Sequence, residues 1–176
     1  MCLVRDPSSP PASGGKMNVE IVAYRAEHAR RFAELNREWL ERYNLMERAN
    51  EEQLADPKAH FLDRGGQIFL ALHEGDVIGT CAVVPQGARR WEVAKLAVSS
   101  EFRGHGIARR LVARCIAHAR EQGARLVYLV SNSQLQPALR LYESLGFRHG
   151  AAPEVKEYDN QDVYMELSFE SAEPSP

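Results

Sequence analysis

The sequence predicts one α/β domain over residues 18–169, with elements in the order βααβββαβαββ, and three observations carry that prediction. Three apolar runs, Gln67–His73, Val77–Pro85 and Arg89–Val98, follow one another as antiparallel strands. The first two are joined at Glu74-Gly75-Asp76, a turn with hairpin chemistry. The third passes through a polar turn (Ser99, Ser100, Glu101) and two glycines, Gly104 and Gly106, into a helical pattern. That helix carries Ile107, Leu111, Val112, Cys115, Ile116 and Ala119 on one face. A second strand-to-helix unit follows, with Arg125–Val130 as a buried strand and Leu135, Ala138, Leu139, Tyr142 and Leu145 sharing a helix face.

The remaining elements fall in place around these. Residues 1–17 are rich in Pro, Ser and Gly without periodicity and read as a flexible leader, with Met17 an alternative start. Asn18–Ala23 alternates as a short strand. Glu27–Tyr43 reads as a helix whose apolar face holds Phe32, Leu35, Trp39 and Tyr43. The two last aromatics suit core packing or substrate contact. Asn50–Ala55 is a short helix stopped at Asp56-Pro57, because a residue before proline is pushed out of the helical region. Gly123 is placed to cap the long helix, and Ser131-Asn132-Ser133 to cap the next. Gly146 ends that helix, Phe147–His149 is extended, Val163–Phe169 alternates as the last strand, and 170–176 reads as a disordered tail.

Composition narrows the function classes. At 176 residues, 44% hydrophobic and 26% charged, the chain suits one soluble domain with a sizeable core. A net charge of −2 gives no global attraction to nucleic acid or to an anionic membrane. Cys2, Cys81 and Cys115 are widely spaced and odd in number, so neither a disulfide framework nor a metal-ligand spacing appears. Without a signal peptide or a membrane-length apolar run, a cytoplasmic protein is expected.

The glycine turn carries the chemistry. The first turn of a helix leaves backbone N–H groups without internal partners, and the helix dipole adds positive charge there. Glycines ahead of it let an anion approach, while Arg103, Arg109, Arg110 and Arg114 supply cations, so the turn is a phosphate cradle or a plain strand-to-helix connection. It is neither a Walker A loop nor a dinucleotide fingerprint. Arg103, Gly106 and Ala108 match Arg-x-x-Gly-x-Ala, which resembles the acyl-CoA pyrophosphate loop of the GNAT superfamily of N-acetyltransferases. Ser131-Asn132, Pro137-Ala138, Leu141-Tyr142 and Gly146-Phe147 look like that superfamily's N-x-x-A-x-x-x-Y-x-x-x-G-F segment. Both signatures sit on matching elements in the right order, so the resemblance covers residues 18–169.

The resemblance implies a mixed, twisted sheet of about seven strands with helices on both faces. Its fourth and fifth strands should splay apart to admit the pantetheine arm of acetyl-CoA. Leu96, Ala97 and Val98 would offer backbone groups to that arm, and Arg103, Gly104, His105, Gly106, Ile107 and Ala108 would wrap the pyrophosphate with Arg109 beside it. Asn132 and Ala138 would meet the arm, and Tyr142 stands where many members place a general acid. Tyrosine suits that role, because its ordinary pKa of about 10 keeps it protonated near pH 7. A packed core aromatic is the competing reading of Tyr142. Glu92, among Trp91, Val93 and Leu96, is the candidate base; otherwise it is a strand-edge charge or a partner for Lys95. His105 falls on a variable position of the loop pattern and is not expected to act as a base.

The function so implied is acetyl transfer from acetyl-CoA to a primary amine by direct attack, with no metal. The acceptor is read first as a small molecule and alternatively as a protein or peptide. A non-catalytic acyl-CoA sensor is the reading from another class. The segments Tyr43–Asp56 and Pro153–Asp162 should frame the acceptor site. Their acidic residues (Glu47, Glu51, Glu52, Asp56; Glu154, Glu157, Asp159, Asp162) would suit a cationic amine. Monomer and homodimer both stay open, and no nucleic-acid or membrane partner is expected.

Overall fold

The computed structural model describes residues 17–151 and 159–169. Most of the expected leader, the expected tail and residues 152–158 of the acceptor-facing segment lie outside the described residues. Seven strands form one mixed sheet: β1 (Glu20–Ala23), β2 (Gln67–His73), β3 (Asp76–Pro85), β4 (Arg90–Val98), β5 (Leu126–Ser131), β6 (Arg148–His149) and β7 (Val163–Ser168). Their spatial order is β1-β2-β3-β4-β5-β7-β6. β1 to β4 run as an antiparallel meander, β5 is parallel to β4, and β7 lies antiparallel between β5 and β6. The β2–β3 turn has positive φ at Glu74 (52°) and Gly75 (89°), the two-residue geometry whose twist matches the flanking strands.

Helices α1 (Ala29–Arg42) and α2 (Arg48–Ala55) cover one face of the sheet. Helices α3 (Ile107–Glu121) and α4 (Gln136–Ser144) cover the other. Each face therefore has its own core. Phe32, Leu35, Leu54 and Phe61 pack with Ile68 and Leu70 on the α1/α2 side; Leu111, Val112, Cys115 and Leu139 pack with Val127 and Leu129 on the α3/α4 side. β3 feeds both, with Ala82 and Val84 on one face and Cys81 and Val83 on the other, which is why it reads as a continuous apolar run.

Three local outcomes differ from, or sharpen, the sequence expectation. A π-helical turn at Lys58–Leu62 follows Pro57, a stretch too short for periodicity to reveal; it buries Phe61. Gly123 (φ 78°) closes α3 in a Schellman motif, with Gly123 N donating to Arg120 O and Ala124 N to Ala119 O, both at 2.9 Å. The expected cap at Ser131-Asn132-Ser133 does not form. The N-cap of α4 is Leu135, without a side-chain cap, and Pro137 in the first turn sets the helical φ where no N–H partner is needed. Asn132 Oδ1 instead accepts from Gln134 N at 3.0 Å, turning the loop before the helix. Among the described residues, no helix is long and apolar enough to cross a membrane.

Candidate active site

β4 and β5 pair only over Arg90–Glu92 and Leu126–Tyr128. Beyond that the strands part, β4 staying with β3 and β5 with β7. The opening holds a cavity of about 530 Å³. Asn36 and Trp39 of α1 line it from one face of the sheet, and Ala108 of α3 and Tyr142 of α4 from the other, so it passes through the sheet. Leu96, Ala97 and Val98 form one rim. Ala97 and Val98 pair with Thr80 and Gly79 on the β3 side, leaving the opposite edge of β4 to the opening.

On the α3/α4 side the rim is backbone. Gly106, in the left-handed region at φ 74°, is the N-cap of α3, and no side chain caps that end. The first-turn N–H groups of Ile107, Ala108 and Arg109 thus have no capping acceptor, and the positive end of the dipole lies there. A Cβ built at Gly104 or Gly106 meets nothing within 4 Å, so the surface over the turn is open to a ligand. These features fit an anion. Arg103, Gly104, Gly106, Ile107, Ala108 and Arg109 all line the cavity. Arg103 Nε donates to Val98 O at 3.3 Å, and an Arg109 guanidinium nitrogen to Ser144 Oγ at 2.6 Å. His105 does not join the cavity lining: its exposed ring places Nδ1 3.0 Å from Arg103 O.

The two candidate catalytic groups face the opening from opposite sides of the sheet. Glu92, the last β4 residue paired with β5, is 5% exposed. Gln86 Nε2 donates to its Oε2 at 2.7 Å, and the Tyr128 hydroxyl lies 3.5 Å from the same atom. Tyr142 packs edge-on against Phe147, ring centroids 5.9 Å apart. Burial, reinforced by the neighbouring Cys81 and Cys115 thiols, pushes its phenol well above the ordinary value, so it stays protonated at neutral pH. Among the described residues no hydrogen bond reaches the Tyr142 hydroxyl, and no fully buried side-chain oxygen lacks a partner. The hydroxyl is therefore open to the cavity that Tyr142 lines. Ala138, one helical turn earlier, lines it too. Asn132 reaches the lining, but its Nδ2 donates to Asn160 O at 2.6 Å, and Leu135 stands three residues before Ala138 where the motif's Asn would be.

On the α1/α2 side the described acidic residues of the expected frame are engaged by neighbouring groups. Glu47 accepts from the backbone N–H groups of Asp159 (3.1 Å) and Asn160 (3.0 Å), while Glu51 pairs with Arg37 and Glu52 with Arg48. Asp162 holds Ser133 through its N and Oγ, at 2.7 and 2.6 Å. Glu154 and Glu157 lie outside the described residues. These carboxylates are spent on holding loops together, and the described carboxylate in the cavity wall is Glu92. The wall is instead amide and aromatic, with Asn36, Asn50 and Asn160 beside Trp39 and Tyr43, whose rings lie 5.2 Å apart. Lys95 belongs to it as well. The one sequence signal for Lys95 was a lysine inside the apolar run VAKLAV.

Residues 28–147 match the family model described as Acetyltransferase (GNAT) family. The chain belongs to that family. It is 32% identical over 115 residues to N-acetyltransferase family 8 member 2 of Rattus norvegicus, covering 62% of this chain and 51% of the relative. It is 37% identical over 97 residues to human N-acetyltransferase 8B, covering 52% of this chain and 42% of the relative. The chain thus spans about half the length of the curated relatives it matches. A Staphylococcus aureus GNAT acetyltransferase has the same fold, with TM-score 0.79, 19% identity, and coverage of 86% of this chain and 99% of that one. So does YncA of Salmonella typhimurium, a putative acetyltransferase solved with its cofactor acetyl-CoA (TM-score 0.70, 24% identity, 90% and 98% covered).

Proposed function

We propose that the protein is an N-acetyltransferase that moves an acetyl group from acetyl-CoA to a primary amine of a small molecule by direct attack. The splay of β4 from β5 carries this reading, because it opens a path from a backbone anion cradle to a buried carboxylate and a protonated phenol. The α3 N-terminus and Arg103 would hold the pyrophosphate with Arg109 beside it, and the free edge of β4 at Leu96–Val98 would receive the pantetheine arm. The clasp between Glu47 and the backbone of Asp159 and Asn160 bridges the acceptor end, which favours a small molecule over an extended peptide.

Attack of an amine on a thioester asks for one proton to be removed and one developing negative charge to be stabilised. The amine loses a proton as its nitrogen bonds to the acetyl carbon, and Glu92 is the carboxylate placed to take it. The carbon–sulfur bond then breaks and charge develops on sulfur. Tyr142, held protonated by burial, donates a hydrogen bond to that sulfur. A thiol has an ordinary pKa of about 8.5, so a phenol raised above 10 stabilises the thiolate without surrendering its proton outright. Retention of both groups in the cavity wall favours turnover over a passive acyl-CoA sensor.

The test is thiol release from acetyl-CoA across a panel of small amines. Acceptor-dependent release is expected; its absence together with absent acetyl-CoA binding overturns the proposal. Glu92→Gln should slow the reaction about a hundredfold at low pH, where the amine is protonated and needs a base, and less at high pH. A variant matching the parent's kcat/KM throughout removes Glu92 from the mechanism.

A further inference from the structure

Glu92 is gripped from outside the cavity it faces. It alternates with Trp91 and Val93 of the α3/α4 core, so it stands on the α1/α2 face with Val84, its register partner. The strand is regular here. The bulge of β4, where the register shifts opposite Thr80–Ala82 and Lys95 takes φ 55°, comes only after Ala94. Gln86, two residues beyond Val84, shares that face and lies diagonal to Glu92, a separation that long side chains span. Its Nε2 donates to Glu92 Oε2 at 2.7 Å. Tyr128, the β5 residue paired with Glu92, brings its hydroxyl to 3.5 Å from the same oxygen. Neither Gln86 nor Tyr128 lines the cavity, although Glu92 does.

The other end of the Gln86 amide is engaged as well. An Arg64 guanidinium nitrogen donates to Gln86 Oε1 at 2.9 Å. A guanidinium has no acceptor atom, so the amide oxygen must face Arg64 and the NH₂ must face Glu92. Backbone packing holds Arg64 in place. A Cβ at Gly66 would come 2.5 Å from Val83 O and 2.9 Å from Val84 Cα, so the loop after the π-helical turn presses directly on β3. Gln86 itself closes the β3–β4 hairpin, its N donating to Arg90 O at 2.8 Å. Two packed loops thus meet through one amide, and that amide ends on the carboxylate in the cavity wall. A carboxylate as buried as Glu92 takes donors in place of water, and a donor to a charged oxygen makes one of the stronger hydrogen bonds.

We infer that Gln86 is the positioning residue for Glu92, with Arg64 fixing which end of its amide meets the carboxylate. The inference rests on the acetyl-transfer reading with Glu92 as the base. Gln86 holds Oε2 so that the carboxylate meets the incoming amine at one angle. A base must lie within hydrogen-bond reach of the proton it takes, so a misaimed carboxylate costs rate rather than cofactor binding.

Two substitutions at one position separate positioning from packing. Gln86→Leu removes the donor. Gln86→Glu keeps the length and shape and still offers Arg64 an acceptor, but it sets a second carboxylate against Glu92. A side chain that served only to hold Arg64 and its loop would tolerate Gln86→Glu; a positioning donor would not. In the full chain with acetyl-CoA and an amine acceptor, kcat should fall about tenfold in Gln86→Leu and further in Gln86→Glu. The KM for acetyl-CoA should hold in both. Arg64→Met should cost a few-fold in the parent and nothing once Gln86 is replaced by leucine. In a Glu92→Gln background both Gln86 losses should vanish, because the donor then has no carboxylate to aim. Gln86 variants as active as the parent, losses of full size in Glu92→Gln, or a rise in the KM for acetyl-CoA matching the fall in kcat would overturn the inference and leave acetyl transfer standing. Parental kcat/KM in Glu92→Gln itself would overturn the reading of Glu92 as base, and this inference with it.

Discussion

The two ends of the cavity are built in opposite ways. The α3 end is local: Arg103 to Arg109 supply its glycines, its helix N-terminus and its cations within seven consecutive residues. The acceptor end is assembled from α1, α2, the bulge of β4 and the segment after residue 158, with side chains rather than backbone facing the cavity. A backbone cradle asks of the sequence only that glycines and a helix start in the right place. A side-chain wall can be made from many residue types, so long as distant segments meet. The first should tolerate little change and bind one ligand; the second should set which acceptor is used.

The comparison breaks most sharply at Gly106. Gly106→Glu puts bulk and negative charge where an anion would sit, and acetyl-CoA should then give no thermal shift. Gly106→Ala carries the same backbone strain at φ 74° without the charge, at a cost of about 1 kcal/mol, and separates the two effects. A normal shift with Gly106→Glu would mean that the cradle is a plain connection.

Tyr142→Phe comes next in size. Loss of one positioned proton donor costs about a hundred- to ten-thousandfold in rate, and kcat should fall within that range while the KM for acetyl-CoA holds. Because no described group is hydrogen-bonded to the hydroxyl, the melting temperature should hardly move. A thioester with a better leaving thiol should recover part of the loss. Full activity in Tyr142→Phe would leave the residue a packing aromatic.

What could be read from the sequence follows the same division. The strand order and the glycine turn were legible because period-two runs, hairpin residues and a strand–glycine–helix order are local patterns. Tyr142 was legible through Ala138 and Gly146-Phe147, which travel with it on one helix. Asn36 and Asn50 were not, since a polar residue on a helix looks solvated until the sheet beneath it is known. Lys95 was visible only as an interruption, because a bulge is a three-dimensional relation between two strands. The partners of the acidic residues were hidden for a related reason. Charge counted along a segment says nothing about which carboxylate binds a distant backbone, as Glu47 does across more than a hundred residues.

Glu47 offers the smallest and most discriminating effect. Its two carboxylate oxygens accept from Asp159 N and Asn160 N, and the Asn160 side chain donates to Leu45 O at 3.2 Å. Asn160 O is held in turn by Asn132 Nδ2, so one clasp ties the α1–α2 loop to the loop after β5, with Leu45, Asn132 and Asn160 all in the cavity wall. Glu47→Gln keeps one acceptor oxygen and turns an amide NH₂ toward a backbone donor. It loses a charge-assisted bond worth roughly 1–2 kcal/mol at a half-buried position. If the acceptor end is a separately assembled wall, that loosening should raise the acceptor KM a few-fold. The KM for acetyl-CoA should stay level, because the α3 cradle shares no hydrogen bond with the clasp among the described residues. Equal rises in both constants would show instead that the two ends respond as one unit, and the division between local cradle and assembled wall would fail.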